Sequence, residues 1–78
     1  MKDLLQQIML KAYEINKNTE HKVFMYFYGH VNLFELQVHS NGWKESKSAD
    51  IMLETYLDKR YAKAELQHML DKLEELEE

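Results

Sequence analysis

Lys22-Val23-Phe24-Met25-Tyr26-Phe27-Tyr28-Gly29-His30-Val31-Asn32-Leu33-Phe34-Glu35-Leu36-Gln37-Val38-His39 is the stretch on which the fold turns. Val23 to Tyr28 is built almost wholly of valine and aromatic residues, which pack well on a pleated surface. Gly29 interrupts the run, and Leu33 to Val38 resumes it with a period of two. Phe34, Leu36 and Val38 are apolar while Glu35, Gln37 and His39 are polar, so the even positions face a core. This is a β-hairpin. Its loop length sets which face of the first strand is buried, because a slip of one residue turns every side chain over. A loop of two residues (Tyr28 opposite Val31) or four (Tyr28 opposite Leu33) sets Val23, Met25 and Phe27 beside Phe34, Leu36 and Val38. Phe24, Tyr26 and Tyr28 then stand on the other face with Leu33, Glu35 and Gln37. An odd loop would bury the tyrosines. The even loop is preferred, since it yields one wholly apolar face.

On the C-terminal side, Ser40-Asn41-Gly42-Trp43 carries the Asn-Gly pair of a type I′ turn. The polar stretch Lys44 to Ser48 follows. Asp50 to Asp58 reads two ways. As a strand, Ile51, Leu53, Thr55 and Leu57 alternate with Met52, Glu54 and Tyr56. As a helix it has Ser48 as N-cap and no breaker before the next helix. That helix would run about 30 residues and about 45 Å, overhanging a sheet of short strands. The strand is the reading adopted, and a helix–hairpin–long helix is the alternative.

Both ends read as amphipathic helices. From Asp3 to about Lys17, Leu5, Ile8, Ala12 and Ile15 keep the three-and-four spacing, with Leu4 and Met9 widening the stripe. Asp3 and Gln6 form a capping pair, and Asn16-Lys17-Asn18-Thr19 breaks the helix. From about Ala62 to Leu76, Leu66, Met69, Leu70, Leu73 and Leu76 form one stripe, with charged residues mostly opposite. The expected architecture is α+β, a two-layer α-β-β-β-α domain spanning residues 1–78, with a three-stranded antiparallel sheet.

The chain has 78 residues, 45% of them apolar and 12% aromatic, with two glycines and no proline. That excludes disordered, collagen-like and low-complexity classes. Without cysteine there is no disulfide, thiolate zinc site or cysteine nucleophile. The longest apolar run is six residues, Val23 to Tyr28, far short of a membrane span. Met1-Lys2-Asp3 opens no export signal, so the expectation is a soluble cytoplasmic protein. Residues 1–70 hold nine basic and nine acidic residues, and the last eight hold five acids and one lysine, giving the net −4. The imbalance is thus a C-terminal acidic end, read as a solvated helix terminus.

Helix, hairpin with Gly29-His30 at its tip, Asn41-Gly42-Trp43, and Thr55-Tyr56-Leu57-Asp58 before an acidic leucine helix together resemble small uncharacterised proteins encoded by phages and prophages of Gram-positive bacteria. The resemblance covers residues 21–78. It implies a helix–sheet–helix fold, a third strand at 50–57 and a mobile-element genome, and it supplies no activity.

Enzyme chemistry finds little to hold. Ser40, Ser46 and Ser48 have no strand-turn-helix elbow around them, and there is no Gly-rich phosphate loop or His-Glu-x-x-His pair. No cofactor or small-molecule substrate is implied. His21, His30, His39 and His68 are possible metal ligands, but parity separates His21 from His39 and His30 sits at the far tip, so no metal site is expected. Phe24, Tyr26 and Tyr28 with Leu33 are the candidate partner-binding residues. Stacked aromatics on a sheet face can hold single-stranded RNA, and the same surface is an apolar patch suited to protein. Glu35 and Gln37 on that face favour protein. The competing arrangement puts one helix on each face and leaves no patch. Trp43 extends the patch or caps the core edge. The expectation is a non-enzymatic interaction protein, phage- or prophage-encoded, forming a homodimer or binding a protein partner through the aromatic face. The alternative is a nucleic-acid-associated regulator using that face or a basic patch of Lys59, Arg60 and Lys63, with Lys44 and Lys47 nearby.

Overall fold

The structure, a computed structural model, describes residues 1–40 and 48–77. The expected Asn41-Gly42 turn, Trp43, Lys44, Ser46 and Lys47 lie outside the described residues. Helix α1 (Lys2–Asn18) leads into strands β1 (Lys22–Tyr28), β2 (Leu33–His39) and β3 (Ile51–Tyr56), and helix α2 (Ala62–Glu77) follows. The strands form one antiparallel sheet in the order β1-β2-β3. This is the α-β-β-β-α architecture, with 50–58 resolved in favour of the strand.

The hairpin loop has four residues, with Tyr28 opposite Leu33 and Val23 opposite Val38. Asn32, not Gly29, takes the left-handed conformation there, with φ 57°. An asparagine tolerates that region through local hydrogen bonding of its side chain. The Asn32 carbonyl accepts from Leu57 N–H at 2.7 Å, which ties the end of β3 to the hairpin tip. In β3, Ile51, Leu53 and Thr55 lie opposite Val38, Leu36 and Phe34, so its apolar positions continue the buried face of β2. Those positions give the third strand its reason to pair.

Ile8, Ala12 and Ile15 of α1 and Leu66, Met69 and Leu73 of α2 are almost fully buried together with Leu36 and Val38. Every sheet residue of this cluster belongs to one face, so both helices lie on that side. An arrangement with a helix on each face is thereby ruled out. Each such buried side chain contributes about 1.5–3 kcal/mol relative to exposure. The face is not wholly apolar and closed, however. Val23 is buried and Met25 half-buried, but Phe27 is 60% exposed where β1 runs along the sheet edge.

Three local expectations are corrected. Helix α1 begins after Met1 and has no side-chain cap, so Asp3 is not a cap but an acid in the first turn, where it complements the positive helix end. The helix also runs through Asn16 and Lys17 to Asn18. It stops at Thr19, whose backbone N–H and Oγ1 both donate to the Ile15 carbonyl, at 3.0 and 2.8 Å. The acidic end of α2 is not merely solvated: Glu77 pairs with Lys11 Nζ at 2.7 Å, joining the two helices.

Candidate interaction surface

The face of the sheet opposite the helices is laid out by the register in three rows. Tyr28, Leu33 and Tyr56 form one, Tyr26, Glu35 and Glu54 the next, and Phe24, Gln37 and Met52 the third. Alternation along each strand makes this arrangement obligatory once the apolar positions are committed to the core. Tyr26 and Tyr28 are about two-fifths exposed, and their rings stack at 6.4 Å with 21° between planes. Phe24 and Leu33 are half-buried at the two ends of the set. The four predicted contact residues therefore stand on one face, which no helix covers among the described residues, and Tyr56 and Met52 enlarge it.

Two carboxylates sit at its centre. Glu35 and Glu54 are directly opposite across β2 and β3, an arrangement in which like charges repel. Gln37 Nε2 donates to Glu35 Oε2 at 2.6 Å, which steadies one of them. The face thus combines aromatic rings with negative charge. Lys59, Arg60 and Lys63 are exposed at the turn after β3 and the first turn of α2, not among the aromatic residues.

The histidines do not converge on a site. His39 is buried, packing edge-on against the Phe24 ring at 5.2 Å, and His30 is exposed at the hairpin tip. Among the described residues, no three His, Asp or Glu side chains come together as metal ligands. No described helix is long and apolar enough to cross a membrane.

A second surface was not anticipated. Between α1 and β1 runs a groove of about 370 Å³ lined by Leu5, Met9, Met25, Phe27, Phe34 and Leu57, together with Tyr26 of the aromatic face. Its volume is that of a small ligand site, but its lining offers few polar groups to orient a ligand. The only hint in the sequence was Met9, which widens the apolar stripe of α1 beyond what the core needs.

No family model matches the chain, and no curated protein or solved structure matches it.

Proposed function

We propose that the chain is a non-enzymatic interaction protein whose uncovered sheet face receives a protein segment carrying arginine or lysine among apolar side chains. The observation behind this reading is that both helices cover one face and leave Tyr26 and Tyr28 stacked and exposed on the other, beside Glu35 and Glu54. Tyrosine rings attract cations through their faces, and a nearby carboxylate completes a site for guanidinium or ammonium. The apolar rims, Leu33 and Met52, supply area that a charge pair alone lacks. The same carboxylates repel phosphate, so nucleic acid is the weaker fit for this face. The phage or prophage setting rests on the sequence resemblance alone.

The test is a titration with three probes, followed by amide chemical shifts. The probes are an arginine-leucine peptide, its glutamate-leucine counterpart and a single-stranded oligonucleotide. The reading expects the arginine peptide alone to shift Phe24, Tyr26, Tyr28 and Leu33, with loss of the effect in Glu35→Gln/Glu54→Gln. Equal shifts from both peptides would remove the charge argument. Shifts from the oligonucleotide centred on Lys59, Arg60 and Lys63 would replace this reading with the nucleic-acid alternative.

A further inference from the structure

The free edge of β1 carries its own pattern of used and unused hydrogen bonds. Asn16, on α1, reaches the strand from outside. Its Oδ1 accepts from Val23 N–H at 2.6 Å, and its Nδ2 donates to the Val23 carbonyl at 3.0 Å. Val23 therefore points its backbone groups away from β2. By the alternation of an antiparallel ladder, Met25 and Phe27 do the same. The far side of the ladder agrees: Val38, opposite Val23, turns its carbonyl to β3, where Asp50 N–H donates to it at 2.9 Å. Among the described residues, nothing pairs with the outward N–H and C=O groups of Met25 and Phe27. Asn16 has closed one end of the edge, and four groups remain open.

Such an edge templates pairing with another strand. Here four open groups spaced two residues apart are complementary to themselves. Met25 of one copy facing Phe27 of another, with Phe27 facing Met25 in return, satisfies all four at once. Tyr26 then stands opposite its own counterpart, and Phe24 opposite Tyr28. No charged residue lies along Phe24 to Tyr28, whereas the opposite edge strand carries Glu54. Side chains supply matching surface. Phe27 and Met9 are each 60% exposed and Tyr13 is 62% exposed. Tyr13 shares the helix face of Met9 and Asn16 by its spacing, so it overlooks the same edge. In the paired register each exposed Phe27 comes to lie beside the other copy's Met25 and groove. With aromatic side chains offering about 150–250 Å² each, Phe27, Tyr13 and Tyr26 with Met9 give several hundred Å² per copy. That approaches the roughly 800 Å² per partner of a standard interface before backbone and rim are added.

We propose that the β1 edge is the site of self-association: two copies pair β1 to β1, antiparallel, with Tyr26 on the twofold axis and a six-stranded sheet as the result. The inference rests on the backbone groups of the edge: pairing there engages Tyr26 at the axis and leaves Leu33, Glu35, Met52 and Glu54 of the open face for what that face binds.

The test combines sedimentation equilibrium with amide exchange of the wild-type chain at low and high concentration. The expected result is a monomer–dimer equilibrium in which the Met25 and Phe27 amides become slow in step with the dimer fraction. The Tyr26 amide, turned toward β2, should be slow throughout. Two variants are added. Tyr26→Lys sets like charges together at the axis, and Phe27→Pro removes an outward N–H while sparing the ladder to β2. Both should sediment as monomers over the range in which wild type dimerises. A wild type that stays monomeric, or a dimer whose Met25 and Phe27 amides exchange freely, overturns the proposal. Unchanged dimer affinity in both variants does so as well. If a variant fails to fold, the wild-type exchange decides alone.

Discussion

Asn16 is a helix residue that behaves as a piece of strand. Its amide makes both hydrogen bonds that a neighbouring strand would offer Val23, while Lys22 Nζ donates to its carbonyl at 2.8 Å. Removing the side chain leaves a part-buried N–H and C=O short of partners, which costs about 1–3 kcal/mol. Asn16→Ala should therefore lower the urea-derived stability by that amount, and Asn16→Gln should not rescue it, since its amide is one methylene too far out. Restoration by Asn16→Gln would show that the placement of the amide against Val23 was not at stake, since alanine is the better helix former of the two and cannot lose stability through propensity. Glu35 and Glu54 are the converse case, a pair held together by the sheet against their mutual repulsion. Glu54→Gln is expected to stabilise by about 0.2–1 kcal/mol, with the gain shrinking as salt is added. A loss of stability in thermal melts at low salt would contradict this.

The strands were readable because alternation is local: Phe34, Leu36 and Val38 name the inner face without help from the rest of the chain. Ile51, Leu53 and Thr55 alternate in the same way, but there a helix fitted as well, and only its length of about 45 Å against a sheet of short strands favoured β3. What alternation cannot say is which side each helix takes, since an amphipathic stripe fits any apolar surface. Nor could it show that Phe27, an inner-face residue by parity, would stand largely exposed at an edge. Contacts between distant positions were hidden too. Lys11 and Glu77 are brought together only by the packing of α1 on α2. The Glu77 carboxylate, accepting a hydrogen bond from Lys11, raises the Lys11 pKa above its ordinary 10.5, with Glu14 and Glu74 adding to the effect. A raised lysine pKa means that the folded chain holds the proton more tightly than the unfolded one. The contribution is complete below about 10.5 and is lost as pH climbs through the raised value. Lys11→Gln should consequently weaken the protein slightly at neutral pH and flatten its alkaline decline. It should also speed amide exchange in the last turn of α2. An alkaline limb identical to wild type would remove the linkage.

Seen as a body of 33 × 26 × 15 Å, the molecule is one sheet and one helix layer thick. Among the described residues a single cluster, reaching from Leu4 to Leu73, serves both layers, so neither layer has a separate core there. Total stability for 78 residues is of order 4–12 kcal/mol. Leu36 lies at the centre of the middle strand, between Met25 and Leu53, and is fully buried. Leu36→Ala removes about 2–5 kcal/mol, a large part of that total. With a urea slope of about 1 kcal/mol/M, the midpoint should fall by at least about 2 M. The comparison needs one fixed protein concentration, since self-association would raise the apparent stability of both forms. The five tyrosines report on α1, β1, β3 and the turn before α2, and far-UV circular dichroism reports on the helices. With one shared core, both signals should be lost in a single coincident transition, in wild type and in Leu36→Ala alike. If helical signal outlived tyrosine fluorescence, α1 and α2 would form a stable pair without the sheet. The shared cluster would then be two cores in contact.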